Sequence, residues 1–292
     1  MIYDIRHTTI YEYGAPVADA RCVIRLTPAH GGAQELLAHA LQITPTPQRM
    51  WERAGFFGER VMCIEIESAH QTLKVESRAR AQVTRDEPDP DDVGSPWEEV
   101  KAASLETAAW APQAPAQFLY PAAMTPLHEP ATEYARASFT PGRPILPALM
   151  ELAERIHKDF AYDTGATLVT TPLAEAFARR HGVCQDFAHI MIAALRGLGL
   201  PAAYVSGYLR TKPAPGQPRL EGADAMHAWI EAWCGPRLGW IGFDPTNALR
   251  VSNDHIAVAT GRDYADVPPI QGVFLGSGAQ GIQVAVDVTA VS

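Results

Sequence analysis

Alternating apolar and polar positions dominate the first 85 residues and predict a β domain. Short segments rich in β-branched and aromatic residues are bounded by proline or glycine, which is typical of strands. Residues 73–83 alternate at period two, which indicates a strand with one face on a core. Strands are predicted at 2–13, 17–26, 38–44, 60–67 and 73–83. We therefore expect an N-terminal β-sandwich-like domain over residues 1–85.

The pattern changes at residue 86, where aspartate, proline and alanine become frequent. Residues 86–140 include the runs DEPDPDDVGSPWEE and APQAPAQ, which favour an extended connector over a packed element. This stretch also carries Trp97, Trp110, Phe118 and Tyr120. So many aromatic residues are unusual in a disordered segment. The connector is therefore predicted to pack on the core.

Helical spacing begins near residue 143. Ile145, Leu149, Leu152 and Ile156 recur at the interval of one buried helix face. Further helices are predicted from a Thr171–Pro172 start to Gly182, and over residues 184–197. Strands follow at 202–210, 227–233 and 240–244, with a closing strand at 282–291. Helices followed by strands indicate an α+β core over residues 141–292.

Composition narrows the class of protein. The chain has 292 residues, of which 24 are basic and 33 acidic, so its formal net charge is −9. An acidic balance with no basic run argues against nucleic acid as a partner. An apolar run of about 18 residues is absent, so we expect no membrane span. Four scattered cysteines are too few for a disulfide framework, which favours reduced thiols and a cytoplasmic location.

Cys184 is the first candidate for chemistry. It follows Gly182 and Val183 at the predicted start of a helix, where free backbone N–H groups and the helix dipole favour a thiolate. A thiolate in that place is a nucleophile near neutral pH. The alternative is a small apolar core residue, which is the commoner role of an unpaired cysteine.

A histidine and an aspartate flank the next predicted hairpin. His227 and Asp244 lie on strands joined by a turn that contains Gly235 and Pro236. If the hairpin is symmetric about that dipeptide, the two residues are directly opposite each other, within reach of a hydrogen bond. A carboxylate held against an imidazole fixes its tautomer and favours its protonated form. A structural His–Asp pair is the alternative.

These residues stand in three longer motifs that resemble a known family. GVCQDFAHIMIAALRGLGLPAAYVSGYL, MHAWIEAW and GWIGFDPTN together resemble the transglutaminase-like superfamily, and most closely its bacterial branch of proposed cysteine proteases with an N-terminal β domain. The resemblance implies a papain-like core, in which a helix bearing the cysteine packs against an antiparallel sheet. It also implies that Cys184 is the nucleophile, His227 the general base and acid, and Asp244 the residue that orients His227.

The implied chemistry is acyl transfer through a thioester at an amide or peptide bond. Water as acceptor gives a cysteine peptidase or amidohydrolase, with peptide or protein as substrate. Transfer to an amine, as in a protein-glutamine transglutaminase, and a catalytically silent binding module of the same fold remain alternatives. The motifs leave the oligomeric state open.

Several nearby residues are weaker candidates. Gln185 and Tyr162 are possible second donors to an oxyanion, beside the backbone N–H of Cys184. Trp229 is expected to form a wall of the cleft or of the core. His189 is expected in the core, and Asp186 in the first turn of the helix. Neither a Cys-x₂-Cys pair nor a nucleotide-binding motif is present, so we expect no metal and no cofactor.

Overall fold

The computed structural model describes residues 1–86, 89, 91–106, 111–165, 167–211 and 225–291. Trp110 of the predicted connector lies outside the described residues. The helices are α1 (Trp97–Glu106), α2 (Glu129–Arg136), α3 (Ile145–Asp159), α4 (Leu173–Arg179) and α5 (Cys184–Leu198). The strands of the N-terminal half are β1 (Ile2–Val17), β2 (Asp19–Ile24), β3 (Gln34–Thr44), β4 (Arg49–Ala54), β5 (Arg60–Ile66) and β6 (His70–Val83). The later strands are β7 (Ala161–Tyr162), β8 (His181–Gly182), β9 (Ala202–Leu209), β10 (Ala225–Trp233), β11 (Trp240–Asp244), β12 (Leu249–Arg250), β13 (His255–Gly261), β14 (Ile270–Leu275) and β15 (Gln280–Val291).

Two four-stranded antiparallel sheets form the N-terminal part. Their strand orders are β15-β1-β6-β3 and β14-β2-β5-β4. Apolar residues of both sheets, including Ile24, Ile64 and Val75, share one buried cluster between them. The predicted β-sandwich-like fold is therefore confirmed. Strand β4 was not predicted, because all six of its residues are exposed and its sequence has no buried face to reveal.

The end of the chain returns to these N-terminal sheets. The strand expected at 282–291 forms within β15, which pairs with β1 so that Val288 lies opposite Ile5. Strand β14 pairs with β2, where Ile270 lies opposite Ile24. The closing strand thus completes the β sandwich and does not join the five-stranded sheet of the α+β core.

The segment expected to be extended contains two helices, so that part of the prediction is wrong. α1 has the sequence WEEVKAASLE, composed mainly of good helix formers, but the surrounding aspartates and prolines obscure it. The buried guanidinium of Arg196 ties the rest of the segment to the core. It donates to the carbonyls of Phe118 and Ala202 and to the hydroxyl of Thr125.

The core consists of helices against one five-stranded antiparallel sheet, of order β12-β11-β10-β9-β13. α3 and α5 occupy the predicted positions, and α5 is buried along almost its whole length between α2 and strands β9 and β10. The helix expected to start at Thr171–Pro172 begins at Leu173, with Pro172 as its N-cap. It ends at Arg179, earlier than Gly182, because Arg180 adopts a left-handed conformation with φ 57°. The α+β fold class is confirmed.

Candidate active site

Cys184 is the first residue of α5 and is partly exposed. The turn before it is held by Asp186, whose carboxylate accepts hydrogen bonds from the backbone N–H of Val183 at 2.9 Å and from the Thr167 hydroxyl at 2.7 Å. A Cβ at Gly182 would lie 2.6 Å from the same carboxylate, so only glycine fits there. The predicted role of Asp186 in the first turn is confirmed.

His227 and Asp244 meet at the adjacent end of the sheet. The His227 Nε2 lies 2.8 Å from Asp244 Oδ2. We predicted that the two residues would be directly opposite each other, and this is wrong. The hairpin pairs Ile230 with Phe243 and Trp233 with Trp240. Its centre therefore falls at Pro236–Arg237, one residue later than expected. The partner of each residue shifts by two, which preserves the face, so the two side chains meet as diagonal neighbours.

The Asp244 carboxylate is buried and accepts five hydrogen bonds. Its Oδ2 faces His227, the His255 Nε2 at 3.2 Å and the Asn247 amide at 2.7 Å. Its Oδ1 accepts from the backbone N–H groups of Thr246 and Asn247, at 2.9 and 3.1 Å. Burial alone would raise the pKa of this carboxyl, but the hydrogen bonds from His227, His255 and Asn247 outweigh it and hold the pKa well below its usual range. Asp244 is thus an anion.

This anion determines the state of His227. Burial alone would lower the pKa of His227, but the hydrogen bonds with Asp244 and Cys184 raise it to about 10. Because Asp244 accepts from Nε2, that nitrogen carries a hydrogen, and Nδ1 is left to exchange a proton with the Cys184 thiol. A thiol, an imidazole and a carboxylate therefore stand in series.

The two candidate oxyanion donors lie near the start of α5, Tyr162 as the partner of Gly182 and Gln185 as the second residue of the helix. Tyr162 is 56% exposed and pairs in parallel with Gly182. Burial is the largest cause of the raised pKa of its phenol, and the Cys184 sulfur is the second cause. Gln185 is buried, and its amide donates to the Val169 carbonyl at 3.0 Å. This bond gives Gln185 a structural task, so its role toward an oxyanion stays a prediction, as does that of Tyr162.

Trp229 lies two residues after His227 on the same strand and is completely buried. Its ring centroid lies 6.2 Å from that of His227 and 5.2 Å from that of His255. A Cβ at Gly207 would be 2.4 Å from the indole, so this glycine makes room for it. Having no exposed surface, Trp229 supports the histidines and does not line an open cleft.

His189 lies in the core, as predicted. It is 4% exposed, and its Nε2 accepts a hydrogen bond from the Tyr264 backbone at 3.2 Å. Burial, with help from Arg196, lowers its pKa to about 3, so the ring is neutral. Asp263, in the same loop as Tyr264, is buried and caps the following turn through the Ala265 N–H at 3.0 Å.

Sequence reasoning missed His255, and it did not single out Asn247 within the motif GWIGFDPTN. His255 begins β13, eleven residues after Asp244, and is 1% exposed. The intervening turn and short β12 strand are irregular, so spacing gave no sign that β13 returns to Asp244. The only available signal was the histidine itself in the run SNDHIAVAT.

Among the described residues, His227, Asp244 and His255 are the group whose side chains could together hold a metal ion. Ligand-type atoms of His227, Asp244 and His255 lie within 4.8 Å of one another. Both histidine nitrogens already lie at hydrogen-bond distance from the carboxylate, whose other oxygen is engaged by backbone N–H groups. The donor set is therefore satisfied as a hydrogen-bond network.

Comparison with known families identifies two regions of this chain. Residues 3–82 match the bacterial transglutaminase-like N-terminal region, and residues 133–245 match the transglutaminase-like superfamily core. The chain belongs to the transglutaminase-like superfamily. An uncharacterised protein of Mycobacterium tuberculosis is 38% identical over 98% of this chain and 92% of its own length. One from Mycobacterium leprae is 30% identical over 97% and 96%.

Two further similarities concern proteins with a described activity. A solved structure of a proposed cysteine protease from Cytophaga hutchinsonii matches all of this chain and 92% of its own, with a TM-score of 0.75 at 22% identity, and shows the same fold. A protein-glutamine gamma-glutamyltransferase of Pseudomonas aeruginosa is 39% identical over 97 residues, which are 31% of this chain and 14% of that protein. Across the described residues, no helix is both long and apolar enough to cross a membrane.

Proposed function

We propose that the protein is a thiol enzyme that cleaves amide or peptide bonds through a thioester on Cys184. The observation that carries the proposal is the His227–Asp244 hydrogen bond of 2.8 Å beside a partly exposed cysteine at a helix start. A carboxylate that orients and charges an imidazole beside a thiol is the arrangement that activates a cysteine nucleophile.

The residues define two half-reactions. The Cys184 thiolate attacks the carbonyl carbon, and His227 gives its Nδ1 proton to the leaving amine as the C–N bond breaks, which leaves a thioester. His227 then takes a proton from water, and the hydroxide adds to the thioester carbon. The C–S bond breaks, which releases the Cys184 thiolate and a carboxylic acid product. In both steps Asp244 keeps its charge and holds Nε2.

An oxyanion forms in each half-reaction and needs hydrogen-bond donors. The first N–H groups of α5 have no partner within the helix, and that of Cys184 is next to the reacting sulfur. The positive end of the helix dipole adds to their effect. We therefore assign the Cys184 backbone N–H as the first oxyanion donor.

The surface next to Cys184 favours an apolar group on the substrate. Tyr162, Leu168 and Val169 are 56%, 76% and 53% exposed. Their segment is fixed to the first turn of α5, since Gln185 donates to the Val169 carbonyl. A peptide with an apolar side chain near the scissile bond would cover these residues.

Transfer to an amine is the second candidate. The similarity of about a third of this chain to the gamma-glutamyltransferase of Pseudomonas aeruginosa favours it. The two activities share the thioester and differ only in whether water or a primary amine attacks it. Mass spectrometry of peptide substrates, with and without an added primary amine, separates them because hydrolysis and amine addition give different masses.

The first test is the rate of iodoacetamide alkylation of each cysteine as a function of pH, in the wild type and in His227→Ala. Peptide mapping follows Cys184 against Cys22 and Cys63. We expect selective alkylation of Cys184 near neutral pH in the wild type, and loss of this selectivity in the variant. If Cys184 reacts no faster than the other two cysteines in both proteins, the proposal fails and a binding module of the same fold is favoured.

A further inference from the structure

The second histidine on Asp244 has no part in the steps above. His255 is 1% exposed, and its Nε2 is 3.2 Å from the Oδ2 atom that also faces His227. Its ring packs edge-on against Trp229, at 5.2 Å between centroids. The ring is therefore fixed in place behind the His227–Asp244 pair.

The hydrogen bonds of His255 determine which of its nitrogens carries the proton. The backbone N–H of Ser252 points at Nδ1, 3.3 Å away, so Nδ1 is an acceptor. Nε2 then carries the hydrogen and donates it to Asp244. Burial lowers the pKa of His255, against the opposing effect of Asp244, so the ring is neutral. The charged groups that act on it are Asp244, His227 and Arg85.

The turn that carries His255 is held from the N-terminal sheets. Arg85, two residues beyond β6, donates from one guanidinium nitrogen to the carbonyls of Ser252 and His255, at 2.7 Å each. Its backbone N–H donates to the Asn253 side chain at 2.7 Å. Gln34 of β3 pairs with both the N–H and the carbonyl of Ala257, at 2.8 and 2.9 Å.

We infer that His255 is a positioning residue, which fixes the Asp244 carboxylate for His227 and is itself held in place by Arg85 of the N-terminal region. A carboxylate that is held by fewer donors rotates more readily about its Cβ–Cγ bond. The second imidazole, the Asn247 amide and two backbone N–H groups remove that freedom. The inference gives the N-terminal sheets a task in the site, and its catalytic part rests on the proposed function.

The decisive comparison is between His255→Leu and His255→Gln. Leucine fills similar space without a donor, whereas the glutamine amide can still donate to Asp244. We expect His255→Leu to lower the alkylation rate of Cys184 and kcat about 10–100-fold with KM unchanged, as is typical when the partner of a functional side chain is lost. His255→Gln should recover most of both.

His7 offers a matched control. It is also 1% exposed, and it bonds to Thr9 and Tyr208 rather than to Asp244. His7→Leu should lower thermal stability to a similar extent and leave alkylation and kcat near the wild-type values. The inference is overturned if His255→Leu stays within twofold of the wild type, or if His7→Leu reduces the rate as much.

Proton NMR separates this inference from the proposed function. The Nε2–H proton of His227, held by Asp244, should exchange slowly in the wild type and in His255→Gln but rapidly in His255→Leu. If this pattern appears although Cys184 is unreactive in the wild type, positioning stands and the catalytic proposal fails. If the proton exchanges slowly in all three proteins, the inference is wrong.

A variant of Arg85 tests the link to the N-terminal sheets. Arg85→Met removes the two guanidinium bonds to the 252–255 turn and keeps the backbone bond to Asn253. We expect it to reproduce the fast exchange and slower alkylation of His255→Leu. Arg80→Met, on an exposed position of the preceding strand β6, is the control and should change neither. If Arg85→Met and Arg80→Met have the same exchange and alkylation rates, Arg85 does not hold His255 in place, and this part of the inference is wrong.

Discussion

At the scale of single residues, the site is organised around one buried anion. The Asp244 carboxylate accepts five hydrogen bonds, of which two come from histidines of opposite character. The pKa of His227 is raised, whereas burial lowers the pKa of His255. The same carboxylate thus faces one ring that favours the charged form and one that stays neutral. Cys184 is among the groups that raise the pKa of the first ring.

Asp244→Asn tests the importance of this charge with almost no change in shape. Asparagine has a single acceptor oxygen, so its amide group must face some of the five donors, and His227 loses the anion that stabilises its protonated form. We expect the alkylation rate of Cys184 at neutral pH and kcat to fall about 10²–10⁴-fold.

The control for this substitution is Asp263→Asn. Asp263 is equally buried and accepts from the backbone N–H groups of Met124 and Ala265. Both variants should lose stability, and only Asp244→Asn should lose the fast reaction. An Asp244→Asn protein that alkylates at the wild-type rate would contradict the role given to the carboxylate.

Cys184, His227 and Asp244 could be proposed from the sequence because each lies in a motif whose local structure the sequence predicts. A glycine before a helix start marks Cys184, and a hairpin brings His227 and Asp244 together. His255 could not be found in this way, since its partner is set by an irregular turn and by Arg85 from a distant strand. The interaction of Gln185 with Val169 likewise depends on a loop that no periodicity describes.

At the scale of elements, the hairpin of β10 and β11 shows which part of a register prediction is robust. The turn covers residues 234–239, as the predicted strand ends imply, but its centre lies one residue after the assumed Gly235–Pro236, and the Cys234 N–H bonds to the Gly239 carbonyl. Every cross-strand partner therefore differs by two positions from the prediction. Because side chains alternate at period two, a shift of two leaves His227 and Asp244 on one face, whereas a shift of one would have separated them.

The start of α5 depends on the absence of a side chain at Gly182. An added Cβ would meet both the Oδ2 and the Cβ of Asp186, at 2.6 and 2.8 Å, and these atoms hold the first turn. We expect Gly182→Ala to cost about 1–3 kcal/mol of stability and to slow the alkylation of Cys184. Urea unfolding and the alkylation assay measure the two effects.

Gly165→Ala provides the comparison, in the loop that contacts the same turn. A Cβ there would come no closer than 3.5 Å to its nearest neighbour, an ordinary contact. This variant should match the wild type in both assays. If Gly182→Ala is also unchanged, the first turn of α5 tolerates a shift of Asp186, and the tight fit described here is irrelevant to reactivity.

At the scale of the whole molecule, the two ends of the chain are joined. Strand β15 pairs with β1 from Ile2 to Tyr13, and β14 pairs with β2, so the chain leaves the α+β core and completes the N-terminal sheets. The alternation of residues 282–291 predicts a strand but contains no information on its partner. Pairing across more than 260 residues depends on the fit of whole surfaces, which is why the strand was predicted and its sheet was not.

Buried neutral histidines in both halves of the molecule predict a loss of stability in acid. Burial lowers the pKa of His7 to about 4 and that of His189 to about 3, compared with about 6.5 in an unfolded chain. Between pH 6.5 and 4 the unfolded chain therefore binds protons that the native protein does not. Stability then falls as the pH is lowered, by up to about 1.4 kcal/mol per pH unit for each histidine.

Glutamine variants isolate the contribution of each histidine, because an amide does not titrate and the His189→Gln side chain can still accept from the Tyr264 N–H. Urea unfolding at pH 7, 6, 5 and 4.5 gives the slope of stability against pH. We expect each single variant to be less steep than the wild type by up to about 1.4 kcal/mol per pH unit, and the double variant by up to twice that amount, since the sites lie on different elements. If the curves of unfolding free energy against pH are parallel for all four proteins, these histidines become protonated in the folded state. Water would then reach both buried rings.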